Sequence, residues 1–262
     1  MESAVRLRGV VLEYAGKTAL RGIDWTVLRG ESWAVIGPNG AGKTSLMSII
    51  NGYAWPTEGS AEILGNRFGE TDLRDLRTQI GMVSAYLDGW IPDDEKVLDL
   101  VVSGKYGSTR IWKKPRPSEV RRVASLLEDL GCGDHIQKRV KEISQGERQK
   151  VMIARALMAD ARLLLLDEPC GGLDLGAREQ FLDGLTRLAG RGDTAMIYVT
   201  HRTEEIPSGF THALLLKAGK ILASGPIADT LTGEKLSSCF DVGVRLETVN
   251  GRYYTIVTSG ER

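Results

Sequence analysis

The order of apolar and polar residues lays out an α/β chain before any motif is considered. Residues 5–28 alternate the two kinds on either side of Gly16 and Lys17, the period-2 pattern of an antiparallel hairpin with one buried face. Residues 32–36 form a short apolar run and predict a strand. A Gly-rich stretch follows at 37–42, and residues 43–50 predict a helix ending near Gly52. Residues 80–83 predict a further strand, after which the pattern is mainly helical from about 86 to 158. Within that stretch Val120, Val123, Leu127 and Leu130 share one helical face, with Ser118 placed to cap the helix and Gly131 to end it. Strands return at 163–166 and 195–200, on either side of a helix around 177–188, with strand-like pieces at 212–216 and 253–257. Such alternation implies a parallel sheet with crossover helices. The four leucines at 163–166 suit a strand buried on both faces. The expected architecture is an α/β core at 1–85 and 159–262, interrupted by a helical insertion at 86–158.

Composition narrows the function classes. The chain has 262 residues, 42% of them hydrophobic, with 34 basic and 34 acidic side chains. That apolar content can bury a sizeable core, and the absence of a basic excess weighs against a nucleic-acid partner. Cys132, Cys170 and Cys239 are odd in number and form no C-x-x-C pair, which points away from a disulfide framework or zinc site and toward a reducing, cytoplasmic setting. No apolar run approaches the roughly 18 residues of a membrane span. Work at a membrane would therefore be peripheral, with another chain doing the spanning. Lys113, Lys114, Pro115, Arg116 and Pro117 beside Trp112 read as a solvated loop ahead of the Ser118 helix.

The chemistry starts at G-P-N-G-A-G-K-T, residues 37–44, which matches G-x-x-x-x-G-K-[ST] between a predicted strand and a predicted helix. Glycines let backbone amides close around a phosphate chain, and the helix N-terminus favours an anion. Lys43 can reach the β- and γ-phosphates, and Thr44 can offer its hydroxyl to Mg²⁺. Downstream, the apolar strand at 163–166 delivers Asp167 and Glu168 at its C-terminal end, where ligands of open α/β sheets bind. There Asp167 can hold magnesium and Glu168 can orient or deprotonate water.

These residues carry a family likeness that spans nearly the whole chain: it resembles the ATP-binding-cassette (ABC) ATPases. Residues 37–44 look like Walker A, with Gly37, Pro38, Asn39, Gly40, Ala41, Gly42, Lys43, Thr44 and Ser45 as the nucleotide cradle. Residues 163–168 look like Walker B with its catalytic glutamate, Glu168. I-S-Q-G-E at 143–147 looks like the signature L-S-G-G-Q, and Ser144 followed by Glu147 is also a capping-box pattern. Asp174 sits where the D-loop belongs, His201 where the γ-phosphate-sensing switch histidine belongs, and Tyr14 where an aromatic stacks on adenine. The resemblance implies an MgATP-hydrolysing subunit. In its ATP-bound state it would form a head-to-tail homodimer, with Ser144 and Gly146 contacting the γ-phosphate held by the other copy. It would drive a separate transmembrane permease from the cytoplasmic face, importing a small molecule or oxyanion. The alternative is a soluble ABC ATPase acting as a nucleotide switch without a permease. Two departures stand out. Gln145 and Glu147 replace the signature's usual glycine and glutamine, and Ser84, Ala85 and Tyr86 stand where the Q-loop glutamine is expected. The second is similar to a molybdate-type subgroup. Cys170 reads as a spacer, and Cys132 and His135 match no motif.

Overall fold

The computed structural model describes residues 2–70, 72–159 and 161–258, without the side chains of Ala85 and Tyr86. The alternating N-terminal pattern folds into β1 (Ser3–Tyr14) and β2 (Lys17–Leu28). Their two-residue turn places Ala15 at φ 48° and Gly16 at φ 78°, and two successive positive φ angles match the twist of a hairpin. β3 (Ser32–Ile36) runs through the phosphate loop into α1 (Lys43–Ile50). β4 (Glu58–Ile63) and β5 (Asn66–Arg67) then join the hairpin in a four-stranded sheet of order β2-β1-β4-β5.

After α2 (Leu73–Thr78) and β6 (Ile80–Val83) the chain becomes helical: α3 (Ala85–Asp88), α4 (Val97–Ser103), α5 (Pro117–Asp129) and α6 (Gln145–Met158). The α5 start corrects the sequence reading. Its cap is Arg116, with Pro117 in the first turn, and Glu119 Oε2 accepts from the Arg116 amide at 2.9 Å. Ser118 lies inside the helix. Proline's fixed φ and missing N–H suit the first helical position, which moves the boundary ahead of the serine. The buried face of α5 includes Val123 and Leu127 as expected, together with Glu119 and Leu126.

The remaining elements are β7 (Leu163–Asp167), α7 (Leu175–Ala189), β8 (Ala195–Thr200), β9 (His212–Lys217), β10 (Lys220–Pro226), α8 (Ile227–Thr230), α9 (Gly233–Phe240) and the hairpin of β11 (Val244–Val249) and β12 (Arg252–Val257). The central sheet has the order β10-β9-β3-β8-β7-β6. Its β9, β3, β8, β7 and β6 run parallel, and β10 is antiparallel to β9. β3, β6 and β8 are buried along their whole length, as continuous apolar runs demand. Register then sets the site. Ile36 pairs with Thr200, and Asp167 pairs with Val199. The phosphate loop, the acid pair and His201 therefore leave the C-terminal ends of adjacent strands together.

Candidate functional site

The phosphate loop is held open by backbone constraints at its two ends. A Cβ on Gly37 would lie 2.1 Å from the Leu216 carbonyl oxygen, and Gly42 adopts φ 105°. Neither position accepts a larger residue without displacing backbone. Lys43 is buried, and its Nζ donates to the Gly37 and Pro38 carbonyls at 2.8 and 3.1 Å. Burial lowers the lysine pKa from its ordinary value, while the carboxylates of Glu168 and Asp167 work in the opposite direction. Thr44 Oγ1 donates to Asp167 Oδ2 at 3.0 Å, joining loop and acid pair. Burial also raises the pKa of Asp167 from its ordinary value, against the lowering effect of that Thr44 bond.

A cavity of about 540 Å³ opens here, a size that suits a small-molecule site. Asn39, Gly40, Gly42, Lys43, Thr44 and Ser45 line it with Asp167 and Glu168. Gly37, Pro38 and Ala41 form the back of the loop: two offer their carbonyls to Lys43, and the Ala41 carbonyl accepts from the Gly219 amide at 2.9 Å. Glu168 sits at φ 50°, an uncommon region for a residue with a side chain and one that recurs at functional sites. Its amide donates to the Val199 carbonyl at 3.0 Å, and its Oε1 lies 3.0 Å from His201 Nδ1. Thr200 braces the histidine's strand end, donating to Glu205 Oε2 at 2.8 Å and accepting from the Arg202 amide at 3.0 Å.

Ser144, Gly146 and Asp174 are not on the wall of this cavity. Ser144 caps α6: its Oγ accepts from the Glu147 amide at 3.3 Å, and Glu147 Oε2 accepts from the Ser144 amide at 2.6 Å, the expected capping box. A Cβ on Gly146 would stand 2.9 Å from the Gly172 carbonyl oxygen, so the start of α6 packs against the loop that leads to Asp174. Asp174 caps α7, accepting from the Ala177 amide at 2.8 Å. Tyr14 is also off the wall, 48% exposed at the tip of the β1–β2 hairpin.

The ABC transporter family matches residues 20–171, a span that holds the phosphate loop, the capping-box serine and the acid pair. The chain belongs to that family. It is an ABC transporter ATP-binding protein and an ATPase. It is similar to the uncharacterised ABC transporter ATP-binding protein YlmA of Bacillus subtilis (strain 168), at 41% identity over 244 residues and 92% of each chain. The manganese transport system ATP-binding protein MntB of the same organism is 32% identical over 238 residues, covering 90% of this chain and 92% of its own. A solved dimeric bacterial ABC transporter cassette shares the fold, with a TM-score of 0.74 at 24% identity over 85% of this chain and 98% of that one. Other relatives are named for manganese, zinc, phosphonate or ribose transport. The molybdate-type subgroup is not supported.

In the cassette, Ser84 is buried where the Q-loop glutamine was expected, and its Oγ accepts from the Leu87 amide at 3.2 Å. Arg148, four residues beyond Ser144, ties this corner to the signature helix through Asp88 Oδ1 at 2.7 Å. Cys170 is buried against the Tyr198 hydroxyl, and burial pushes its thiol up to about 12, which suits a spacer and not a nucleophile. Sequence reasoning missed five cavity residues: Thr18, Ala19, Arg21, Ala218 and Gly219. The Arg21 amide donates to the Gly219 carbonyl at 2.8 Å, so two hairpins meet at the loop. Ala218-Gly219-Lys220 repeats the Ala15-Gly16-Lys17 turn, and that repeat was the available signal.

Proposed function

We propose that the chain hydrolyses MgATP as a head-to-tail homodimer and drives a separate transmembrane permease from the cytoplasmic face, importing an inorganic ion, oxyanion or other small molecule. The carrying observation is the division of the nucleotide machinery. Lys43, Thr44, Asp167 and Glu168 line one cavity, and His201, off its wall, reaches it through Glu168, whereas Ser144, Gly146 and Asp174 present themselves elsewhere on the same chain. A second copy turned head to tail completes the site. Relatives named for manganese, zinc and phosphonate transport support the cargo class. Among the described residues no helix is long and apolar enough to cross a membrane, which leaves the spanning to the permease.

In this reading the amides of residues 39–45 and the Lys43 ammonium hold the phosphates, and Tyr14 stacks on adenine at the hairpin tip. Glu168 takes the proton of the attacking water, and His201 orients that carboxylate and senses the γ-phosphate. Ser144 donates from the opposing copy, carried by the helical insertion at 86–158. The Thr44 hydroxyl and Asp167 carboxylate are hard oxygen donors 3.0 Å apart, a pair that fits Mg²⁺. When bound, the ion would neutralise charge on the phosphate oxygens. Ser84 in place of the glutamine favours a second reading, an ABC ATPase that switches on ATP without a permease.

The test is to isolate tagged Glu168→Gln protein from its own cells in detergent with MgATP. A stoichiometric multi-span membrane protein supports the transporter. A dimer without one, under conditions that preserve known transporter complexes, supports the switch.

A further inference from the structure

Glu147, which replaces the usual glutamine of the signature, has a partner that the roles above do not use. His135 lies in the short helical turn Gly133–His135 and is 6% exposed. Its Nε2 stands 2.7 Å from Glu147 Oε1. Its Nδ1 stands 3.0 Å from Lys138 Nζ and 3.3 Å from Asp134 Oδ1. An ammonium can only donate, so beside Lys138 the neutral ring accepts at Nδ1 and carries its proton on Nε2. A protonated ring turns to Asp134 at Nδ1 and still donates from Nε2. In both forms an N–H points at the Glu147 carboxylate.

That carboxylate is shared. Oε1 takes the histidine and Oε2 takes the Ser144 amide at 2.6 Å, while the Glu147 amide donates to Ser144 Oγ at 3.3 Å. With its oxygen accepting from that amide, the serine hydroxyl keeps its own proton to donate outward. We propose that His135 is the positioning residue for Ser144, acting through Glu147, and that it sets the signature hydroxyl for the phosphate of the opposing copy. The proposal rests on the reading of Ser144 as that donor.

The pairing also accounts for the glutamate. A glutamine has one acceptor oxygen. If that oxygen served the Ser144 amide, the NH₂ group would face the Nε2–H of His135. Relief would require moving the ring proton to Nδ1, where the Lys138 ammonium stands. Buried histidine and signature glutamate are thus a matched pair. Bonds from Ser144 first, and then from His135, hold the Glu147 carboxyl down at about 2, so the double acceptor persists at any working pH.

The experiment follows MgATP-driven dimerisation in the Glu168→Gln background by light scattering. Adding His135→Leu is expected to raise the ATP concentration for half-dimerisation about tenfold, the scale of one charge-assisted hydrogen bond. His135→Gln, whose amide can still donate, returns it to within about threefold of the background. Glu147→Gln alone weakens dimerisation, and the His135→Leu/Glu147→Gln double is no worse than either single, because the glutamine then meets no donor. Fluorescent-ATP binding by the dilute protomer stays unchanged throughout, and thermal unfolding confirms that each variant is folded. Background-like dimerisation by folded His135→Leu overturns the proposal, as does additive loss in the double. Ser144→Ala separates the two levels: if it too dimerises like the background, the reading of Ser144 falls, and if it alone fails, only the role of His135 falls.

Discussion

Replacing Lys43 with methionine keeps the aliphatic stem and removes a buried charge. In the folded protein that ammonium caps two loop carbonyls, and burial depresses its pKa. The unfolded chain therefore holds the proton more tightly, and stability rises with pH as the folded pKa is passed. At neutral pH the charge costs stability, whereas the two carbonyls lose a donor in the variant. These effects oppose each other, so the melting temperature of the nucleotide-free protein is a poor readout and the nucleotide-induced shift is the decisive one. A charge-assisted bond to phosphate is worth about 1.5–3 kcal/mol, or roughly 10- to 150-fold in affinity. With nucleotide at 100 times the wild-type Kd, binding stabilises the wild type by about 2.7 kcal/mol and a variant 30-fold weaker by about 0.9. At about 2–4 °C per kcal/mol the expected shifts are roughly 5–11 °C and 2–4 °C. A thermal-shift series with ADP, checked by calorimetric titration, measures both. Binding by Lys43→Met within twofold of wild type would remove Lys43 from the site.

Three further outcomes follow from the geometry. Asp167→Asn should abolish the Mg²⁺-dependent part of nucleotide binding while leaving binding in chelator intact. Because burial raises the folded pKa of Asp167, its ionised form costs stability as pH rises through that value; the nucleotide-free variant should melt above wild type at neutral pH, with the gap closing in acid. Gly37→Ala drives a Cβ against the Leu216 carbonyl at 2.1 Å and should cost about 1–3 kcal/mol, a fall of roughly 2–12 °C. A variant as stable as wild type would contradict that close approach. Cys132, Cys170 and Cys239 are buried, with thiols raised to about 11, 12 and 11. A disulfide reagent at pH 8 should therefore label them only on unfolding, and rapid labelling of the native protein would show the burial to be wrong.

The parts of the fold legible in the sequence are those whose neighbours are local or whose burial is complete. β3, β6, β7 and β8 read as continuous apolar runs because both faces are covered. β4 does not: Glu58–Ile63 mixes exposed and buried positions, and its order comes from pairing with β1, some fifty residues away. β10 and β11 are likewise half-exposed strands defined by their partners. Within the site, contiguous motifs announced Lys43, Thr44, Asp167 and Glu168. Thr18, Arg21 and Gly219 reach the same cavity only because two hairpin turns dock on the loop. His135 and Glu147 are twelve residues apart with an irregular segment between them, and no spacing rule announces a contact made by folding.

The central claim is that one copy's Ser144 completes the other copy's site. The direct measurement mixes two chains that are each inactive, Glu168→Gln and Ser144→Ala, and records ATP hydrolysis. In a mixed dimer one site has both residues crippled. The other combines an intact Glu168 from the Ser144→Ala chain with an intact Ser144 from the Glu168→Gln chain. Random pairing then restores roughly a quarter of the wild-type rate, since half the dimers are mixed and each has one working site. A mixture that stays at the background of the separate chains contradicts the shared site and places Ser144 outside the opposing copy's chemistry.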